Sequence, residues 1–436
     1  MFACLALFAG LLSSHIAPRQ SQVPDRRTLL EQIVGQPTGQ NGYEEYLRAA
    51  EMLKNSQLWI YEQRTYGQTL PEDLSPADRD LVAHLRNKAY IDIKHEEVER
   101  FKAAIELVRE GNQKPVADPR GLIKPETLLP EFAYFRNLAR LFAWESYLKF
   151  SDGDGHGGTK SLLDGMRFSY KLANGTLIAA LVGIACNGIE LGAFEDRLSA
   201  LSIDDCHQIQ ETVAEILAGP NPLAGAFEKE HQSALYVGDL VFKKGGLSQD
   251  QMNTMDFGPE NKDAMEALKA ASPADLQQWG SSYKQSMNQF FAAIQSRLRQ
   301  PEHAWDGIED DQELAIHQAE RPVGAIMSGV LPSLSGVLSA QARQRTQLRL
   351  AYLHAKVLEY KWVNGKLPSS LAEAVTPEET YDVLADRPFH YSLKDRGYEL
   401  FSEGSKKTGR IEVKYRPVTS GDGKEQAKPL IVFNHL

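Results

Sequence analysis

The sequence predicts a mainly α protein: an irregular helical array or bundle followed by a small C-terminal α+β domain with a three- to four-stranded antiparallel sheet. Two periodicities predict it. Apolar residues recur at three- and four-residue steps over most of 43–362, whereas period-two alternation begins only after Pro388. The punctuation agrees, because Ser-Pro-Ala-Asp stands at both Ser75 and Ser272. Each offers an N-capping serine with proline at the first helical position.

Taken in order, 18–42 is polar, contains Pro24, Gly35, Pro37 and Gly39, and reads as a linker around the small cluster Leu29, Leu30, Ile33 and Val34. Helical spacing starts at Tyr43, Tyr46, Leu47, Ala50, Leu53 and Leu58. A long amphipathic stretch opens at Ser75 and runs to Val108, with Gly111 as its stop. After a loop over 114–130, Phe132, Phe135, Leu138, Leu141, Phe142 and Leu148 mark a helix over 131–150. The glycine-rich run 151–158 reads as a loop and 161–172 as the return helix. A strongly apolar helix follows over 175–198. The next covers 204–217, capped by Ser202 or Asp204. Gly219-Pro220-Asn221-Pro222 breaks the chain before a helix over 223–243. Residues 245–262, rich in Gly, Gln, Asn and Met, read as a long surface loop. Ser272 opens a helix reaching Leu298, 322–332 is apolar with small residues, and 334–362 reads as one long helix.

Strands are expected at Phe389, Tyr391 and Leu393, at 398–402, and at Ile411, Val413 and Tyr415, with a fourth at 430–433. The helix-loop-helix rhythm around 133–174 has no fixed period, so it is a general array and not a tetratricopeptide repeat. The expected organisation is a signal peptide or membrane anchor at 1–17, a linker at 18–42, a helical body at 43–340 and an α+β domain at 341–436, with a boundary near Gln341.

The chain has 436 residues, 42% hydrophobic and 24% charged, enough apolar material for a core without metal or disulfide staples. A net charge of -10 and the lack of a basic stripe interleaved with aromatics argue against a general affinity for nucleic acid or anionic lipid. Of the cysteines, Cys4 lies in the N-terminal apolar segment; Cys186 and Cys206 read as buried thiols that could pair only across adjacent helices, within about 7 Å between Cα atoms. The run Phe2 to Leu12 has the length of a signal-peptide core, although no Lys or Arg precedes it and His15-Ile16-Ala17 is a poor cleavage site. It is short beside the roughly 20 residues of a membrane span. Export or N-terminal tethering is the expectation.

Candidate chemistry is sparse. Asp152-Gly153-Asp154 invites a calcium loop, but the fifth and twelfth positions would be His156 and Leu163, which are not oxygen ligands, so an inter-helix turn is expected. Three acid-x-x-His pairs occur, Asp92/His95, Asp204/His207 and Glu228/His231, and three-residue spacing puts each on one helix face. Only Glu228 and His231 match the Glu-x-x-His of di-metal bundles, and they are the metal candidates. Ser281-x-x-Lys284 and Lys407-Thr408-Gly409 are two of the three elements of penicillin-binding enzymes; the third is missing, and the latter fits a hairpin turn. The best catalytic candidates are Glu145 and Glu190, each in a strongly apolar helix where a carboxylate is costly unless paired. If their helices pack, they could share a proton or cation as acid/base pairs do. The alternative is structural ion pairing with Arg136, Arg140 or Arg197. No cofactor is implied.

The stretch 350–404 carries a resemblance. A long helix leads to Asn364-Gly365-Lys366-Leu367-Pro368, then to Asp386-Arg387-Pro388, then to Gly397-Tyr398-Glu399-Leu400-Phe401-Ser402-Glu403-Gly404. This order resembles the globular domain of the major, G-type pseudopilins of type II secretion. The resemblance implies a small antiparallel sheet packed on a long helix. It departs in Pro388, displaced from a "DP" pair, and in Ser405-Lys406-Lys407, where lysines replace the aspartates of a calcium loop. The pilin processing signal is absent, so the chain is not expected to be a pilin subunit. The helix pairs flanking Gly153 and Gly175 resemble uncharacterised bacterial envelope proteins. The expectation is a non-enzymatic exported or membrane-tethered protein, periplasmic, secreted or anchored, that binds protein partners. The alternatives are a hydrolase or metal-dependent enzyme built on Glu145 and Glu190, and an accessory part of a type II secretion or pilus-like system.

Overall fold

The structure is a computed structural model that describes residues 27–55, 89–122, 127, 129–195, 197–243, 262–331, 334–395 and 397–415. The N-terminal apolar run with Cys4, the Ser75 helix start, most of the 245–262 loop and the strand expected at 430–433 lie outside these residues.

The helices are α1 (Leu29–Ile33), α2 (Gly42–Met52), α3 (Tyr90–Arg100), α4 (Lys102–Asn112), α5 (Glu131–Ser151), α6 (Gly155–Leu172), α7 (Leu177–Glu195), α8 (Ile203–Ala218), α9 (Pro222–Val241), α10 (Lys262–Ala270), α11 (Pro273–Leu298), α12 (Ile308–Gln318), α13 (Arg321–Val330) and α14 (Leu334–Asn364). Their starts follow local chemistry. Ser202 and Ser272 each close a capping box with an aspartate three residues on, and Asn41 and Asn221 cap α2 and α9 through their side-chain oxygens. The fold class is the expected one, mainly α with a small α+β end.

Several boundaries differ from the sequence reading. The stretch ending at Val108 is broken at Phe101, whose backbone leaves the helical region (φ -107°, ψ 18°) while its ring is buried. Gly111 lies inside the last turn of α4 and not beyond it. The 151–158 loop shrinks to Asp152-Gly153-Asp154, because Asp154 accepts the Gly157 amide and starts α6 early. Helices α10 and α12 form where none was assigned, and α13 occupies the small apolar stretch.

Two cores are built. The first joins α1, α2, α4 and α5 around Tyr43, Tyr46, Phe135 and Phe142. The second runs from α6 through α8, α9, α11 and α13 to α14. Helices α6 and α7 wall both: Phe168, Leu172, Ala179 and Cys186 face the first, and Leu163, Met166, Leu191 and Phe194 the second.

At the C-terminal end, β1 (Tyr381–Asp382) pairs with β2 (Arg387–Pro388), and β3 (His390–Lys394), β4 (Gly397–Ser402) and β5 (Ile411–Glu412) form an antiparallel sheet in that order. The register sets Tyr391 opposite Leu400 and Ser402 opposite Ile411. Lys407-Thr408-Gly409 lies in the turn between β4 and β5, with Gly409 at φ +62°. The sheet packs on α14, and Phe389, Tyr398, Leu400, Ile411 and Val413 belong to the second core. Helix α14 runs unbroken through Gln341, which is buried.

Candidate carboxylate site at the α4–α7 junction

Glu145 and Glu190 arise from packed helices, α5 and α7, both resting on α6. Their environments differ. Glu145 is engaged by cations at both oxygens: Arg109 of α4 donates to Oε2, and Lys149, one turn along, lies 3.2 Å from Oε1. Arg109 is the hub. Its Nε donates to Asp164 at 2.8 Å, its Nη1 to Glu106, and its Nη2 also reaches Ser161 Oγ at 3.3 Å. Lys160 adds a 2.8 Å bond to Asp164. Burial alone would lower the Arg109 pKa, but its bonds to Asp164 and Glu145 outweigh that and raise it. The guanidinium therefore stays charged.

Glu190 has no such support. It is fully buried, and neither carboxyl oxygen has a hydrogen-bond partner. The carboxyl lies over Gly165 of α6, where a Cβ would stand 2.4 Å from Oε1, so the glycine makes room for it. Burial first, and the charge of Asp164 second, push its pKa well above the ordinary carboxylate range. The side chain of Asn187, one turn away on the same helix face, also has a buried Nδ2 without a partner.

Asp164 thus stands between the two candidates: it shares Arg109 with Glu145, and its charge bears on Glu190. Glu145 is ion-paired at both oxygens, whereas Glu190 is unpartnered and pushed toward its neutral form by burial. The ion pair expected for Glu145 is present, but with Arg109 and Lys149. Of the arginines weighed from sequence, Arg140 bonds Asn137 and Arg197 stacks over the Tyr147 ring at 4.5 Å. Arg109 comes from a helix remote in sequence, and no local spacing points it at Glu145; Glu145/Lys149 on α5 and Lys160/Asp164 on α6 are the pairs with four-residue helical spacing.

The other candidates are scattered. His231 bonds Asn288 at 2.9 Å and stacks on Phe291, while Glu228 accepts from Gln232 on its exposed face. Among the described residues no group of three or more His, Cys, Asp or Glu side chains could hold a metal ion. His207 pairs with Glu359, and Asp92 and His95 are exposed. Ser281 donates to its own helix at Gln277 and Lys284 pairs with Asp239, so Ser-x-x-Lys forms no nucleophile-base pair. Cys186 and Cys206 are free, and burial pushes both thiols up to about 12.

Sequence reasoning missed a second buried cluster. Arg120 holds Asp118 and Glu131, and Tyr43 donates to Glu131 at 3.2 Å. This network fastens the loop before α5 to α2. Comparison of the chain with known protein families, with curated proteins and with solved structures found no match in any of the three.

Proposed function

We propose that this protein is a non-enzymatic binding or assembly module of the cell envelope, exported or tethered through its N-terminal apolar run. The observation that carries the reading is the outer face of α7. This helix has a mean hydropathy of 1.9 over its most apolar window, yet only half of that window is buried. Among the described residues it is the one helix long and apolar enough to cross a membrane. Its inner face holds Asn187, Glu190 and Phe194, as befits a core helix. Its outer stripe, Ile184, Ala185, Gly188 and Gly192, is only half-buried, and a Cβ at either glycine would meet nothing within 4 Å. An apolar stripe flattened by glycines suits the close approach of a partner helix or sheet. The long α14 carrying a small antiparallel sheet supports the assembly part of the reading.

The enzyme alternative is weaker, because Glu145 is committed to two cations and Glu190 is enclosed; general acid/base work needs a group within reach of the substrate. The test is affinity capture of the tagged chain from envelope fractions, with Ile184→Glu as the partner variant. Co-purification of a partner that Ile184→Glu abolishes, with the helical spectrum kept, is the expected result. Recovery only from the soluble cytoplasmic fraction with no partner would sink the proposal.

A further inference from the structure

A cleft of about 340 Å³ lies where the turn between α8 and α9, the end of α11, the 3-10 turn Glu302–Gly307, α14 and Val383 meet. We propose that it binds a small molecule through an oxyanion, a phosphate or carboxylate group. Three arginines line the cleft, Arg299, Arg345 and Arg349, against a single carboxylate, Glu302. Glu302 Oε1 accepts from Arg345 Nε at 2.9 Å and from Arg349 Nη2 at 2.7 Å. Two guanidiniums on one carboxylate leave a positive charge over, and Arg299, exposed and ion-paired with no described residue, adds a second.

The arrangement is held in place before any ligand arrives. Arg345 and Arg349 stand four residues apart on one face of α14. Arg345 also donates to the Leu217 carbonyl at 3.3 Å. Arg349 is buried to 18% side-chain exposure, and its Nη1 donates to nothing. A buried donor without an acceptor leaves the charge of this guanidinium under-compensated. Trp305 backs the site, and its indole donates to Gln300 at 3.1 Å, which fixes the turn carrying Glu302. Asn221 brings the N-terminal end of α9, with its positive dipole end, to the same recess. Guanidinium forks match phosphate and carboxylate oxygens better than they match chloride. The volume sits at the small end of ligand sites, which favours a compact anion.

The competing role for these arginines is to clamp α14 to the Glu302 turn. The two roles separate in one experiment. Thermal unfolding of the full chain is followed while inorganic phosphate is titrated against chloride at constant ionic strength, with acetate as a parallel arm. A saturable rise in Tm with phosphate, acetate or both is expected, and the stronger arm identifies the anion. Arg299→Ala, at an exposed position, should leave the Tm in chloride unchanged and weaken the apparent affinity about tenfold, as loss of one charge-assisted bond does. Absence of a saturable shift in both arms, or a saturable shift that Arg299→Ala leaves intact, overturns the proposal.

Discussion

Glu190 is a carboxyl group placed where its charge has no support. In the folded chain burial and the neighbouring Asp164 both disfavour its ionisation and raise its pKa well above the ordinary carboxylate range. In the unfolded chain it titrates like an ordinary glutamate, near about 4.3. As pH rises past that value, the unfolded state releases the proton and the folded state holds it, so stability falls with rising pH until the folded pKa is passed. Glu190→Gln removes the titration and keeps the shape. Its stability, from urea unfolding between pH 5 and 8, should decline less steeply than that of the native chain. The amide brings its own buried donors and hence a constant offset of about 1–3 kcal/mol, so the readout is slope, not level; parallel curves would refute the assignment. The sequence showed that Glu190 sits in an apolar helix. Which oxygens lack partners, and which acid lies beside them, depended on Gly165 and Asp164 of another helix.

Helices α2 and α4 cross at two glycines, and the crossing explains why Gly111 is where it is. A Cβ on Gly111 would stand 2.7 Å from Tyr46 Cε1 and 2.8 Å from the Gly42 carbonyl; one on Gly42 would stand 2.3 Å from the Gly111 carbonyl. Tyr46 then reaches over the junction and donates to Asn112 at 2.6 Å. Gly111→Ala should lower stability by about 1–3 kcal/mol through overpacking, in spite of a gain of up to about 1 kcal/mol in helix propensity. Gly188→Ala on α7 meets open space and should be neutral or mildly stabilising. Thermal melts of the two variants make the comparison, and equal effects would show that propensity and not packing governs Gly111. From sequence Gly111 read as a helix stop, since glycine is the commonest terminator. A glycine needed for close approach looks the same in one dimension. Most other helices were legible within a few residues, because Ser-Pro-x-Asp and Asn-Pro place capping chemistry at a helix start whatever surrounds it. Helices α10 and α12 were missed.

At the scale of the whole molecule, the C-terminal sheet is bound into the second core, and one residue pins it there. His354 of α14 is fully buried; its Nε2 donates to the Val413 carbonyl at 2.7 Å, so its Nδ1 accepts from the Tyr398 hydroxyl, also 2.7 Å away. Burial pushes its pKa down to about 4, against the opposing bond to Val413. The unfolded chain takes up this proton below about 6.5. Stability is therefore lost as pH falls from there toward 4, by about 3 kcal/mol in all. Carboxylates held low by arginines, such as Glu302, act below the ordinary carboxylate pKa, whereas Glu230, pushed up to about 7 by burial, opposes His354 in the window above about pH 4.5. Glu190 opposes it across part of that window, which is why single variants and not the native curve isolate each. His354→Gln should be less stable at pH 7 and lose the acid-side decline, measured by urea unfolding at pH 4.5 to 7. A decline identical to that of the native chain would rule out His354 as its source.

The sequence by itself determined the fold class, most of the helix starts and the alternating strands at the C-terminal end, because capping, periodicity and turn chemistry act over a few neighbouring residues. It also determined that Glu145 and Glu190 stand in apolar helices. Only the tertiary structure decided that Glu145 pairs with Arg109, that Glu190 is buried without a partner over Gly165, that α6 and α7 wall two cores, and that three arginines line one cleft with Glu302. Those outcomes rest on side chains meeting from helices far apart in the chain. Electrostatics and close packing act through space, and no local pattern records which helices become neighbours.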